Sequence, residues 1–311
     1  MTMSAPQIVV VGSINMDLVA RMSRLPRPGE TLHGDDFQTI PGGKGANQAV
    51  AAARLGAQVT MIGRVGDDAF GGELLRSLEL YGVGTQYVQK TANYPSGVAV
   101  INVEASGANA IVVIAGANGR LTADDVANCA SVIASADVVV VQLETPVETV
   151  ITAIRTARKF KVRTILDPAP APSSPLPAEL QSVDYISPNQ SEAEALTGIV
   201  VDDLTSAERA AKVLCDRGAR HVVMKLGELG ALIYSDGKGE HIAAVSTEIV
   251  DTTAAGDAFT AGLAVGLAEG RTLAEATKLG CAAGTLACTV FGAQPAMPTR
   301  EKVDRFLGVE R

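Results

Sequence analysis

The sequence predicts a doubly wound α/β fold, with a mostly parallel sheet flanked by helices and a small antiparallel β lid. Three observations carry that expectation. Short, continuous apolar runs rich in β-branched residues, such as "DVVVVQL", read as strands buried on both faces. Helical patterns alternate with these runs, the order that places helices on both sides of a parallel sheet. Two insertions, at about 17–41 and 97–116, break the alternation.

Taken in order, "QIVVVGSIN" is the first strand, an apolar run ending in polar residues. The stretch from about Asp17 to Pro41 follows, with alternating apolar positions and several turn signals. "ANQAVAAARLGA" is a helix of strong helix formers, and "QVTMIGRVG" the strand behind it. The second insertion is "SGVAVINVEASGANAIVVIAG", two strands about a Ser-Gly-Ala-Asn turn, which is a hairpin signal. The two insertions leave the main sheet and are expected to pair with each other as the lid. Downstream, strand "DVVVVQL", helix "VETVITAIRTARKF" and strand "RTILDPAP" lead to "DYISPN" and helix "SEAEALTG". Helix "SAERAAKVLCDRG" and strand "HVVMKLG" continue the alternation. The proline-rich "DPAPAPSSPLPAEL" is short enough to be an ordered loop. At 311 residues, with no internal repeat or long linker, the chain is expected to form a single domain across 1–311.

Composition removes several classes. A formal charge of −8 argues against a nucleic-acid partner, and no apolar run reaches the ~20 residues of a membrane span. "MTMSAPQ" lacks the basic and apolar regions of a secretory signal, which points to the cytoplasm. The four cysteines (Cys129, Cys215, Cys281, Cys288) form no Cys-x-x-Cys pair and are expected as buried, reduced side chains. The three histidines have no zinc-site spacing.

The chemistry concentrates where strands end and helices begin. In "IVDTTAAGDAFTAG", Asp257 follows a run of small residues and opens a helix, where exposed N–H groups and the dipole favour anions. Alone, it reads equally as a first-turn acid satisfying that dipole. "PGGKGANQ" is neither a Walker A loop nor a dinucleotide fingerprint, yet three glycines around Lys44 let backbone and ammonium approach a polar ligand together. Its bland alternative is a glycine turn with a solvated lysine. Asn15 and Asp17 share one face of an extended segment and can satisfy neighbouring hydroxyls, or close an Asx turn. Strand ends also carry Glu144, Asn189 and the run Lys225 to Gly227.

Four stretches, "GGKGANQAVAAARLGA", "VDTTAAGDAF", "SPNQSEAEALTG" and "GAQPAMPTRE", together resemble the ribokinase (PfkB) family of carbohydrate kinases, from Val9 to about Arg300. The resemblance implies a ribokinase-like fold and transfer of the γ-phosphoryl of ATP to a sugar, D-ribose at O5 first. Another sugar or nucleoside, such as deoxyribose or a ketose, is the alternative within the family. A catalytically silent sugar-binding protein is the alternative from outside it, and the intact Asp257 speaks against that reading. By resemblance, Asp257 is the catalytic base, and Ala254, Ala255 and Gly256 form the anion hole. Asn15, Asp17, Gly43, Lys44, Asn47 and Glu144 would hold the sugar alongside Asp257. Asn189 and Glu192 would order Mg²⁺ and phosphates through water. Lys225, Gly227, Gly230, Gly256 and Cys281 would lie along the nucleotide. A K⁺ site would draw on Asp251, Thr253, Ala287, Val290 and Gly292. The resemblance also implies a homodimer formed through the lid. Three positions depart from the family's pattern. Lys225 stands where Thr or Ser is frequent, Ala296 replaces a serine of the cation loop, and Cys281 replaces a polar residue.

Overall fold

The valine-rich runs fold as strands whose alternate side chains enter two separate apolar clusters. Ile8 and Val10 point to one side of the sheet, Val9 and Val11 to the other, and all four are at most 2% exposed. Such two-sided burial is what a parallel sheet covered by helices on both faces requires. The computed structural model describes residues 5–172 and 175–309, so Ser173 and Ser174 of the proline-rich stretch lie outside the described residues.

The strands are β1 (Gln7–Val11), β2 (Asn15–Met22), β3 (Asp36–Gly42), β4 (Gln58–Gly66), β5 (Gly84–Thr91), β6 (Gly97–Glu104) and β7 (Asn109–Ile114). Beyond them come β8 (Val138–Val141), β9 (Arg163–Leu166), β10 (Tyr185–Ile186), β11 (His221–Lys225), β12 (Ala231–Ser235) and β13 (Lys238–Ile242). Among the described residues, nine strands form the main sheet in the order β13-β12-β11-β10-β9-β8-β1-β4-β5. It is parallel from β11 through β5, while β12 and β13 add an antiparallel edge that the sequence patterns did not indicate. Helices Lys44–Arg54, Ala255–Ala268 and Leu273–Ala287 cover one face, and Val147–Lys159 and Leu204–Asp216 the other. The last two helices of the first face pack very closely: a Cβ on Gly262 would stand 2.8 Å from the Cα of Gly280. That contact fixes the helix that carries Asp257.

The second sheet has the order β3-β2-β6-β7. Its central pair, β2 with β6, is parallel, so the sheet is mixed and not wholly antiparallel. Both strands follow main-sheet strands, β1 and β5, which run parallel, so the chain leaves the main sheet at their carboxyl ends each time. The expected first strand, "QIVVVGSIN", is corrected likewise. β1 ends at Val11, and Asn15 opens β2 in the other sheet. Residues 12–14 make the crossing between sheets, so Asn15 and Asp17 lie at the root of the small sheet.

Candidate active site

Asp257 lies in the first turn of helix Ala255–Ala268 and is 5% exposed. The residue before that helix, Ala254, is left-handed at φ 59°, an uncommon conformation for a residue with a Cβ. Among the described residues no side chain caps this helix, which leaves the positive end of its dipole for a ligand, while the Ala255 amide donates to the Thr252 carbonyl at 3.2 Å. Two consecutive amides grip the carboxylate: Asn47 Nδ2 donates to Oδ2 and Gln48 Nε2 to Oδ1, each at 3.0 Å. Asn47 closes the first turn of helix Lys44–Arg54 and Gln48 opens the second. That helix can start there because Gly43 holds φ 89°, and a Cβ on it would strike the Asn15 nitrogen at 2.6 Å. Burial pushes Asp257 up to about 6, against the pull of Lys44; Asp167 adds to the rise, while the Asn47 and Gln48 hydrogen bonds oppose it.

A second cluster adjoins the first. Glu144 Oε2 accepts from Ser13 Oγ at 2.5 Å and from the Lys44 amide at 3.3 Å, with Asn15 Nδ2 at 3.5 Å. Asn15 is oriented from behind by Asn118, whose Nδ2 donates to Asn15 Oδ1 at 2.7 Å. Asp17 is 8% exposed, and burial raises its carboxyl to about 7, helped by Glu144 and Asp257 and opposed by Lys44. Burial works against the Lys44 ammonium too. The carboxylates of Asp257, Asp167, Glu144 and Glu192 outweigh it and hold Lys44 above its ordinary value. The pocket therefore offers several acceptors and a retained positive charge, a set suited to a polyhydroxylated ligand.

The third group lies at the carboxyl ends of β9, β10 and β11. Lys225 Nζ meets Asp167 Oδ1 at 2.8 Å, so this lysine is held in an ion pair. It stays close to the helix start, 3.8 Å from where a Cβ on Gly256 would be. Asn189 and Glu192 form a reciprocal capping box on helix Gln190–Thr197, and burial raises the Glu192 carboxyl. Gly227 and Gly230 bound the turn between β11 and β12, where the Leu226 amide bonds the Gly230 carbonyl. Cys281, on helix Leu273–Ala287, is half-buried against the main apolar cluster, and burial pushes its thiol up to about 12. The structure packs its side chain against apolar neighbours.

Asp251 ties the loop before Ala254 to the loop after Ala287. One carboxylate oxygen accepts from the Thr253 amide and hydroxyl at 2.9 and 2.6 Å, the other from the Gly292 amide at 2.9 Å. The Cys288 carbonyl accepts from the amides of Val250 and Asp251, Ala287 is fully buried, and Val290 is 41% exposed. All four cysteines are free, as expected, but only Cys129 is fully buried; the other three are half-buried.

Sequence reasoning missed Ser13, Asn118, Gln142, Gln48 and Asp167. A signal existed for two of them. Gln48 stands inside the glycine motif, and Asp167 ends the strand "RTILD", the same position type that singled out Glu144.

A doubly wound sheet, with a buried acid at a helix start and side chains suited to hydroxyl groups beside it, is the arrangement expected of a small-molecule kinase. The sequence profile of the pfkB family carbohydrate kinases matches residues 5–300, and the chain belongs to that family. It is 41% identical to the ribokinase of Haemophilus influenzae, over 96% of this chain and 98% of that one. It is 36% identical to the deoxyribokinase of Salmonella typhimurium, over 97% and 99%. The structure of Arabidopsis thaliana ribokinase complexed with ribose and ATP superposes with a TM-score of 0.90 at 34% identity, covering 99% of this chain and all of that one.

Proposed function

We propose that this protein transfers the γ-phosphoryl group of ATP to O5 of D-ribose, giving ribose 5-phosphate and ADP. One observation carries the reading: Asn47, which grips Asp257, keeps its buried Oδ1 without a partner among the described residues. A buried acceptor beside an acid is costly unless a ligand donates to it, and sugar hydroxyls are such donors. The ribokinase and deoxyribokinase relatives support the same class of substrate.

Asp257 accepts the hydroxyl proton as the sugar oxygen attacks the γ-phosphorus and the bond to the ADP oxygen breaks. Amides at Ala254 and Gly256, joined by that of Ala255 once it exchanges the Thr252 carbonyl for the ligand, meet the charge on the transferring group, with the Lys225 ammonium beside them. Asn15, Asp17, Gly43, Lys44, Asn47 and Glu144 orient the sugar. Gly227 and Gly230 shape the nucleotide path, and Cys281 lies towards its base. No group of three or more His, Cys, Asp or Glu residues poised for a metal occurs among the described residues. Asn189 and Glu192 would hold Mg²⁺ through its waters, and the ion would supply charge neutralisation at the phosphates. The Asp251 loop suits a K⁺ ion held with Thr253 and the carbonyls of Ala287, Val290 and Gly292. Ala296 offers no side-chain ligand.

The small sheet serves as a lid over the sugar and as a dimer surface. All of β7 is exposed, including Ile111 to Ile114, and so is Phe37 on β3. Apolar edge strands need covering, and a second copy is the occupant proposed. No helix among the described residues is long and apolar enough to cross a membrane, and free thiols fit the cytoplasm.

The deciding experiment is a coupled ADP-release assay over pentoses, hexoses and nucleosides. Highest kcat/KM with ribose supports the proposal. Preference for 2-deoxyribose or a ketose replaces the substrate and keeps the chemistry, while silence with every acceptor overturns it.

A further inference from the structure

Gln48 has no part in the roles above, yet it is 1% exposed and sits at the centre of a buried polar chain. Its Nε2 donates to Asp257 Oδ1 at 3.0 Å and to Asp167 Oδ2 at 2.8 Å, using both amide hydrogens. Its Oε1 accepts from Gln142 Nε2 at 2.6 Å. Asp167 is itself 1% exposed, takes Lys225 Nζ on its other oxygen and accepts from Thr260 Oγ1 at 3.3 Å. Burying two carboxylates and an ammonium is expensive, and packing alone would be served as well by Leu or Met at position 48. Asn47 and Gln48 together donate to opposite oxygens of Asp257, so the carboxylate cannot turn without breaking both bonds.

We infer that Gln48 is a positioning residue of phosphoryl transfer, locking the Asp257 carboxylate in one orientation and coupling it to the Asp167–Lys225 ion pair beside Gly256. The inference rests on reading Asp257 as the base. Each carboxylate oxygen accepts one amide hydrogen and keeps a lone pair for the substrate proton. The coupling has a sign at every link. Gln48 donates to the charged form of Asp257, Asp167 opposes that charge, and Lys225 neutralises Asp167. Lys44 on the same helix and Asp17 on β2 also face Asp257, and they stay unchanged in every variant below.

The test is the pH profile of kcat at saturating ATP and ribose for Gln48→Met, Gln48→Leu, Asp167→Asn and Lys225→Met, with Asp257→Asn as control. Gln48→Met and Gln48→Leu should lower kcat about 10- to 100-fold, the scale of a misplaced catalytic group, and leave both KM values within about twofold. Their acid limb should move to higher pH, as should that of Lys225→Met, while that of Asp167→Asn moves to lower pH. Thermal unfolding identifies any variant that fails to fold, and the two substitutions at 48 stand in for each other. Wild-type kcat and an unmoved limb in both Gln48 variants overturn the inference. So does lost turnover and lowered Tm with the limb unmoved, or a limb that moves the same way in Asp167→Asn as in Gln48→Met. If Asp257→Asn keeps wild-type turnover, the base reading itself fails. If Asp257→Asn is inactive while Gln48→Met behaves as wild type, only the positioning role fails.

Discussion

Replacing Asp17 with Asn should make the free protein more stable at alkaline pH, at the expense of sugar binding. Asp17 is buried at the root of β2, facing Glu144 and Asp257, and its folded pKa is about 7 against an ordinary 3.8. The folded state thus keeps a proton, between those two values, that the unfolded chain has released. Stability from this group is intact below about 3.8, falls as pH rises through the window, and levels off above about 7, where both states are ionised. At ~1.36 kcal/mol for each pH unit of difference, ionised Asp17 costs the folded state about 4 kcal/mol at pH 8 and somewhat under 2 kcal/mol at pH 5. Asn keeps the shape and does not titrate. The gain of Asp17→Asn over wild type should grow by about 2–3 kcal/mol from pH 5 to pH 8, which for a chain of this length is a Tm increment of roughly 3–5 °C. Scanning calorimetry of both proteins without ligand, at the two pH values, measures it directly. The reasoning is refuted if the Tm difference stays constant between pH 5 and pH 8, or if Asp17→Asn is the less stable protein at pH 8. Calorimetric titration with ribose should show the matching loss of affinity.

Asp257→Asn should fold normally and lose about 10²–10⁴-fold in turnover, and wild-type kcat/KM for ribose should fall with two protons as pH drops through the range of about 7 to 6 set by Asp17 and Asp257. Near pH 6.5, ribose binding should release protons, read by calorimetry as an enthalpy that varies with the ionisation enthalpy of the buffer; one value in every buffer rejects it. K⁺ should raise turnover over Na⁺ or Tris at constant ionic strength, because a cation held by Asp251 and its neighbouring carbonyls braces the loop leading into Ala254; equal rates in all salts mean the loop is locked by its own hydrogen bonds. Val112→Lys on β7 should turn a dimer into a monomer by light scattering, with folding intact; an unchanged mass removes the lid from the interface.

What could be read from the chain was local. Asp257 with its small-residue run and the glycine motif at Gly43 were legible because a helix start needs only neighbouring residues to declare itself. The buried runs around Val9, Val139 and Val222 declared the parallel sheet for the same reason. The break of the first strand after Val11 was hidden, since Gly12 and Ser13 are small enough to pass as a strand end and Ile14 is apolar again while the backbone crosses to another sheet. The parallel pairing of β2 with β6 was hidden too, because hairpin signals say nothing about how two insertions meet. The ion pair of Lys225 was hidden, because its partner Asp167 lies 58 residues away, beyond any periodicity. Asp167 itself sits at a strand end and obeys the rule that found Glu144. The proline-rich stretch after it drew attention to the loop instead.

A pocket holding Asp17, Glu144, Asp167, Glu192 and Asp257 against Lys44 and Lys225 is an improbable place for an anionic nucleotide, in a chain already carrying −8. Placement resolves the conflict. On the proposed function, Asp17, Glu144 and Asp257 gather on the sugar side, where neutral hydroxyls would donate to carboxylates and favour their ionised forms. The arriving sugar would then supply the hydrogen bonds that burial withheld, at the moment the proposed base must be charged. On the phosphate side the positive features are an uncapped helix start and the Lys225 ammonium, with Asp167 holding that lysine in place. Asn47 and Gln48 stand between the two sides and give both oxygens of Asp257 a neutral partner that adds no charge to either. On the proposed function, consecutive amides at a glycine-initiated helix are the device by which one buried carboxylate would face a sugar and a triphosphate at once.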